Sequence, residues 1–494
     1  MSIAQQAGSF PSFTTVNFYA GSKLNRLSWL RTSTEFLNST IASRETRFVV
    51  LNNNNPLCHG DQAAEEQRGL LATLSWDEVK PYILDNVKAS GGVETDSENV
   101  LVFGPQAYAL QNGSGEEKDF TRATDGVGPN RLALVFLGID ESKLSNTSLP
   151  GEMAKDTSKE SDAANDKAPP AGVPYFALSL SYRPPFLSSD EAAPMQPLLS
   201  KLEAEDDKYD FVDLRASSTA SRWPVEDAAI VAQAKSLLDW NERHQYCPGC
   251  SRQQYSLWAG YKRGCSSSLS NARPGTEFSR AFLPTSATTF AEDGKGVCPS
   301  TKVLSNFHYP RTDPVIIMAI ISPDGEKVLL GRQKKWPAGF YSCLAGFCEP
   351  GESFEEAVQR EVLEESGIRV DQVIYHSSQP WPYPTNLMAG FYGIAKSDDE
   401  KDIRLDLDNE LEHARFYTRQ EILGVLGGDA QFTRAELEKI DQQHADDNEE
   451  SKKKNEVGIR LPPKTTIARV LVEAWARGQA VLPNHMDAFQ KTRM

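Results

Sequence analysis

Apolar and polar positions alternate in two manners along the chain. From Pro314 onward, short apolar runs (PVIIMAI, KVLLGRQ, YSCLAGF, QVIYHS and LMAGFYGIA) are interleaved with stretches of helical spacing, the last near Thr465–Arg477. Short runs bounded by polar breaks predict strands, and their mixture with helices predicts a layered α+β domain. Before residue 224, the runs Phe48–Leu51, Val100–Phe103 and Leu132–Leu137 predict a strand-rich domain whose strand order stays open. No internal repeat is evident anywhere along the chain. Ala228, Val231, Ala232, Leu237 and Leu238 recur at helical spacing, predicting a helix from about Pro224 to His244 with the proline in its first turn.

Gly151–Gly172 and Asp441–Asn455 are too polar to offset the entropy of ordering and are expected to be disordered insertions. The expected domains are therefore 1–223, 224–311 and 312–494, with insertions at about 151–172, 272–297 and 428–458. A net charge of -16 disfavours non-specific binding to nucleic acid or anionic membrane, without excluding action on one end of an RNA. No apolar stretch of about 18 residues predicts a membrane span, and the N-terminus lacks the pattern of a signal peptide. Seven cysteines in such a chain point to thiols or metal ligands rather than a disulfide framework.

The segment Gly346–Ile368 carries the most chemistry. Ser353 followed by Glu356 is a capping box, and Gly367 is a C-terminal cap, so a helix is predicted over Phe354–Ser366. At about 100° per residue, Phe354, Ala357, Val358 and Val362 share a core-facing sector, with Glu361, Glu364 and Glu365 in or beside it. Like charges so placed repel, and a hard divalent cation would relieve them. A solvated acidic helix end is the alternative for the bare cluster. The cysteines Cys247, Cys250, Cys265 and Cys298 could hold a structural Zn²⁺, the fourth lying beyond a long Ser-, Ala- and Gly-rich loop; the alternative is a lone CxxC of unpaired thiols. Cys58, Cys343 and Cys348 lack partner spacing, and the last two are expected to be small strand residues.

Gly346, Glu352, Arg360, Glu361, Val362, Glu364, Glu365, Gly367 and Ile368 together match the Nudix box, and the chain resembles the Nudix hydrolases. That resemblance implies an α/β/α sandwich with a mixed sheet, and metal-dependent hydrolysis of a nucleoside diphosphate linked to another group. It implies Mg²⁺ or Mn²⁺ ligation by Glu361 and Glu365 with Glu364 close by, a carbonyl ligand from Ala345, and an ion pair between Arg360 and Glu352. The array Ser378-Gln379-Pro380-Trp381-Pro382-Tyr383-Pro384, followed by Thr385 and Asn386, is similar to the SQPWPFPxS array of zinc-ribbon NADH pyrophosphatases. Its prolines predict a stiff extended loop, and Trp381 offers a face for stacking on nicotinamide or adenine; a packing hinge is the alternative.

The same resemblance marks Tyr309, Phe347, Ala468 and the array residues Gln379, Pro380, Trp381, Pro382, Tyr383, Pro384, Thr385 and Asn386 as substrate contacts, and Glu410 as a further metal ligand. It also covers Asn17-Phe18-Tyr19-Ala20 at the start of the chain. It implies cleavage of NADH or NAD to a nicotinamide mononucleotide and AMP, or removal of an NAD cap from RNA 5′ ends at the same site, by a homodimer. A non-catalytic nucleotide or nucleic-acid binder is the remote alternative. The final Thr492-Arg493-Met494 approximates a peroxisomal signal, so the expected location is peroxisomal or cytoplasmic.

Overall fold

The computed structural model describes residues 15–89, 102–104, 131–143, 172–185, 187–214, 222–251, 253–265, 309–337, 339–427, 459–480 and 482. They divide into two units. One runs from Ser22 to Leu214 and from Arg222 to Arg311; the other takes the described residues up to Gly21 and those from Thr312 on. Cys298, the C-terminal tripeptide and the three expected insertions, Gly172 apart, lie outside the described residues. No helix among the described residues is long and apolar enough to cross a membrane.

The first unit contains β1 (Leu24–Asn25), α1 (Thr34–Ile41), β2 (Arg47–Asn52), β3 (Asn55–His59), β4 (Thr73–Ser75), α2 (Trp76–Ala89), β5 (Leu134–Asp140), β6 (Val173–Ser179), α3 (Gln196–Ala204), β7 (Tyr209–Phe211) and α4 (Val225–Arg243). The hairpin β8 (Gln254–Leu257) and β9 (Lys262–Cys265) follows. Its sheet has the order β1-β5-β6-β2-β3-β7, with β4 on β2. Phe48, Val50, Phe136 and Phe176 point to one face, where Leu37, Val79 and Leu198 from the three preceding helices complete a core. Helix α4 packs against β2, β5 and β6. Pro224 is its N-cap rather than a first-turn residue.

The second unit contains β10 (Asp313–Ile321), β11 (Lys327–Gln333), β12 (Leu344–Phe347), α5 (Phe354–Ser366), β13 (Val370–Trp381), β14 (Asn386–Ala395), β15 (Leu411–Thr418), α6 (Arg419–Gly427) and α7 (Ile467–Ala476). Its sheet has the order β13-β14-β10-β11-β15, with β12 on β10. Strand side chains alternate between faces. On β10, Ile316, Met318 and Ile320 join Ala357, Val358 and Val362 of α5, while Ile317, Ala319 and Ile321 join Ile422, Leu471 and Trp475 of α6 and α7. This is the expected α/β/α sandwich, and burial on both faces explains the unbroken apolar run of β10. The expected strand at YSCLAGF shortens to β12, because Ser342 makes only an isolated bridge to Gly331.

The two sheets repeat one another, contrary to the absence of a repeat at the level of sequence. Strands β5, β6, β2, β3, β7 and β4 correspond in order to β13, β14, β10, β11, β15 and β12. All five pairings agree in sense, the parallel one being β2–β6 in the first sheet and β10–β14 in the second. Helix α2 takes the place of α5. There Glu78 accepts hydrogen bonds from Ser75 N and Oγ, both at 2.7 Å, so its carboxylate serves as a cap. Core patterns tolerate wide substitution once volume and period are kept, which is why this repeat leaves no trace in the letters.

Candidate active site

Helix α5 forms as its local chemistry dictates. Ser353 Oγ accepts from Glu356 N, Glu356 returns a bond to Ser353 N, and Gly367 closes the helix at φ 73°. The stripe Ala357, Val358 and Val362 is fully buried, but Phe354 is 39% exposed. As the first helical residue, its side chain leans back toward the N-terminus, away from the covered part of the sheet; its ring still meets Phe391 at 5.8 Å. The three acids do not share one patch. Glu365 is 2% exposed, whereas the side chains of Glu361 and Glu364 are 14% and 49% exposed. Glu361 and Glu365, four residues apart, stack on one face, and Glu364 is rotated outward to meet Arg360 at 3.0 Å.

Strand β12 lies beneath this face. Gly346 is the point of closest approach: a Cβ there would sit 2.0 Å from the carboxyl carbon of Glu361. Ala345 N donates to Glu365 Oε1 at 3.2 Å. Ala345 therefore occupies a pair with Ile317 that spends no hydrogen bond on β10, and its carbonyl points the same way as its N–H, toward α5. Phe347 repeats the geometry, its carbonyl accepting from Arg360 Nη2 at 2.9 Å while its ring is 58% exposed. Arg360 also grips both oxygens of Glu352, at 2.6 and 2.9 Å, and Glu361 Oε1 at 2.8 Å. The expected Arg360–Glu352 pair is thus one part of a clamp between helix, strand and preceding loop.

The electrostatics are those of crowded acids. Burial, then Glu410, then Glu361 hold the Glu365 carboxyl well above the usual carboxylate range. Burial also raises Glu361, with Arg360 opposing, and raises Glu410, to which Asp408 and Glu361 add. Glu352 moves the other way, to about 2, through its hydrogen bonds from Arg360. Glu410, ahead of β15, accepts from Gln333 Nε2 and donates its own N–H to Asp408 Oδ1 at 3.0 Å. Asp408 is the acid the sequence analysis missed. Its position two residues before Glu410, capping a turn in which Asn409 has φ 60°, is an Asx-turn signature that could have found it. Glu410, Glu361 and Asp408 all act on the buried Glu365 carboxyl, and carboxylate oxygens brought near one another in this way suit a hard divalent cation.

The Pro-rich array departs from the expected extended loop. Gln379, Pro380 and Trp381 end β13, opposite Met388, Leu387 and Asn386 of β14, and residues 382–385 make the hairpin turn. Strand β13 is the sheet edge, where a proline removes no needed ladder bond. Trp381 and Tyr383 are half-buried, with ring centroids 5.1 Å apart, edge to face. Pro384 follows a cis bond, and Thr385 O accepts from Asp313 N. Gln379 and Ala468 are both buried. Gln379 is 1% exposed; its Nε2 donates to Phe18 O and Thr465 O, and its Oε1 accepts from Ile467 N. Its amide is therefore used in tying the array to α7, and Ala468 is buried in the core beneath α7.

In the first unit, the Sγ atoms of Cys247, Cys250 and Cys265 lie within 4.8 Å of one another. Cys250 and Cys265 are 3.4 Å apart, near the roughly 3.8 Å that tetrahedral Zn–S bonds of about 2.3 Å require. Cys247 and Cys265 are buried and Cys250 exposed. Tyr309 belongs to this unit, where Lys262 Nζ donates to its hydroxyl at 2.8 Å. Cys58 and Cys343 are buried, and burial pushes each thiol up to about 12.

Comparison with known proteins follows the same division. Residues 310–438 match the NUDIX domain, and residues 45–240 match the NADH pyrophosphatase-like rudimentary NUDIX domain, which spans the repeated sheet. An NAD-capped RNA hydrolase of Schizosaccharomyces pombe is 32% identical over 467 residues, 93% of this chain and 92% of that protein. The human NAD-capped RNA hydrolase NUDT12 is 38% identical over 51% of this chain and 42% of its own length. The human mitochondrial NAD(P)H pyrophosphatase NUDT13 is 28% identical over 70% of this chain and 80% of its own.

Proposed function

The chain belongs to the Nudix hydrolases, in the NADH pyrophosphatase group, and from that premise we propose that it cuts the pyrophosphate of NADH or NAD. The products are a nicotinamide mononucleotide and AMP. The observation that carries this reading is the meeting of two acids of α5 with strand β12, where Gly346 leaves room for the Glu361 carboxylate and Ala345 N donates to Glu365, with Glu410 near enough to raise the Glu365 carboxyl further. Water supplies the oxygen that joins one phosphorus, the P–O–P bond breaks, and the bridging oxygen leaves with the other phosphate. A divalent ion, Mg²⁺ or Mn²⁺, would neutralise the pyrophosphate and activate the water. In this proposal Glu361, Glu365, Glu410 and the Ala345 carbonyl hold it, Arg360 orients Glu361, and Glu364 lies outside the ligand set. Cys247, Cys250 and Cys265 would hold a structural Zn²⁺, and Cys298, outside the described residues, is the candidate fourth ligand. Phe347 and Trp381 receive the bases, and the active assembly is a homodimer.

Removal of an NAD cap from RNA is the second reading, favoured by the names of the relatives that the chain matches over most or half of its length. It needs the same bond and the same residues.

Trp381→Ala should raise KM for NADH about tenfold, as loss of a stacked aromatic face predicts, with kcat within about twofold. Steady-state kinetics decide it; an unchanged KM leaves the array as packing. Gly346→Ala should displace the Glu361 carboxylate. A fall in kcat of about tenfold or more, with melting temperature nearly kept, is expected for a misplaced charge at the reacting centre. Full activity in that variant would separate Glu361 from the chemistry.

A further inference from the structure

We propose that Tyr19 is a positioning residue for the recognition hairpin, setting how tightly the dinucleotide is held rather than how fast it is cut. The proposal rests on the reading of Trp381 as a base-stacking residue.

The described residues up to Gly21 belong to the same unit as the sheet β10–β15, although the first unit separates them in sequence. They lie along β13, an edge strand whose outer polar groups need partners. Asn17, 2% exposed, donates from Nδ2 to Ser377 Oγ at 3.0 Å and Ser378 O at 2.8 Å. Phe18 O accepts from Gln379 Nε2 at 2.9 Å. Tyr19 then adopts φ 69°, which turns its side chain toward the hairpin. Its hydroxyl and that of Tyr383 are 2.8 Å apart. Its ring centroid is 6.2 Å from those of both Trp381 and Tyr383, edge to face.

The three rings form one cluster, but their exposures differ. Tyr19 is 6% exposed and stands behind, whereas Trp381 and Tyr383 keep part of their surface open. Trp381 is the last residue of β13, so the ladder holds its backbone while its ring orientation depends on neighbours. Tyr19 supplies that support through a ring edge and a hydrogen bond to the adjacent Tyr383. An aromatic face held in one orientation binds a flat heterocycle at lower ordering cost than a free one. This effect is the same in ground and transition states, so it enters KM and leaves kcat alone.

The test is steady-state hydrolysis of NADH by the full chain and its variants. Tyr19→Ala should raise KM about tenfold, from the loss of two edge-to-face ring pairs, with kcat kept within about twofold. Tyr19→Phe keeps the rings and loses only the hydroxyl bond, so its KM should rise about two- to threefold. In a Trp381→Ala background either change should add nothing, since a residue acting through Trp381 cannot act once it is gone. If Tyr19→Ala does not fold, Tyr19→Phe in the two backgrounds decides. A loss in kcat at constant KM, or effects that add fully to Trp381→Ala, overturns the proposal. Trp381→Ala with an unchanged KM removes the base-stacking reading, and this proposal with it. A raised KM in Trp381→Ala, but not in the Tyr19 variants, overturns this proposal alone.

Discussion

Glu365→Gln is expected to lower kcat for NADH by about 10²-fold or more, the usual scale for losing charge stabilisation at a reacting centre. Glutamine keeps the volume and an oxygen but cannot carry charge. The site makes that charge matter: Glu365 is 2% exposed, and Glu361 and Glu410 add to burial in raising its pKa. With chelator present, the same change should keep or raise stability, because it removes repulsion from a buried position. The pH dependence follows. The folded metal-free protein retains the Glu365 proton at pH values where the unfolded chain has released it. The contribution of Glu365 to stability is therefore full below the ordinary carboxylate range and falls as pH rises from that range through the higher folded pKa. Melting curves in chelator should slope downward with pH in the native protein and flatten in the variant. Near-native turnover by Glu365→Gln, with no change in that slope, would remove Glu365 from the site.

Cys250→Ser should lose bound zinc and lower the melting temperature together. Cys250 is exposed while Cys247 and Cys265 are buried, so replacing its sulfur by oxygen forfeits little packing. Any large destabilisation then reports the metal. The three sulfurs are already within 4.8 Å of one another, and binding free energy at such a site is folding free energy. Removing one ligand of a structural zinc should cost several kcal/mol, or a melting shift on the order of 10 °C. Elemental analysis should find about one zinc per native chain and much less in the variant. A native chain that folds without zinc would leave the cluster as three thiols.

What could be read in the letters was local. Helix α5 runs from its capping box to Gly367 as expected because both ends are set by residues within four positions. The Arg360–Glu352 pair was legible from the resemblance, and the sharing of Arg360 with Glu361 and the Phe347 carbonyl was not, since that needs β12 in place. Helical angles alone put Glu364 beside the other acids, but the sheet covers only part of that sector. The Pro-rich array looked like a loop because proline usually excludes a strand, yet β13 is an edge and tolerates it. That Gln379 is a buried tie was not legible either, since its partners Phe18 and Thr465 lie far away in sequence. The repeated sheet was hidden because pairing order is a long-range property that conservative core substitution leaves unmarked.

The central claim is metal-dependent cleavage between the two phosphates. Purified chain incubated with NADH and Mg²⁺ or Mn²⁺, with products separated by chromatography, tests it most directly. Reduced nicotinamide mononucleotide and AMP are expected in equal amounts, both absent when chelator is added. Release of free nicotinamide, product formation indifferent to chelator, or no turnover with either ion would contradict it.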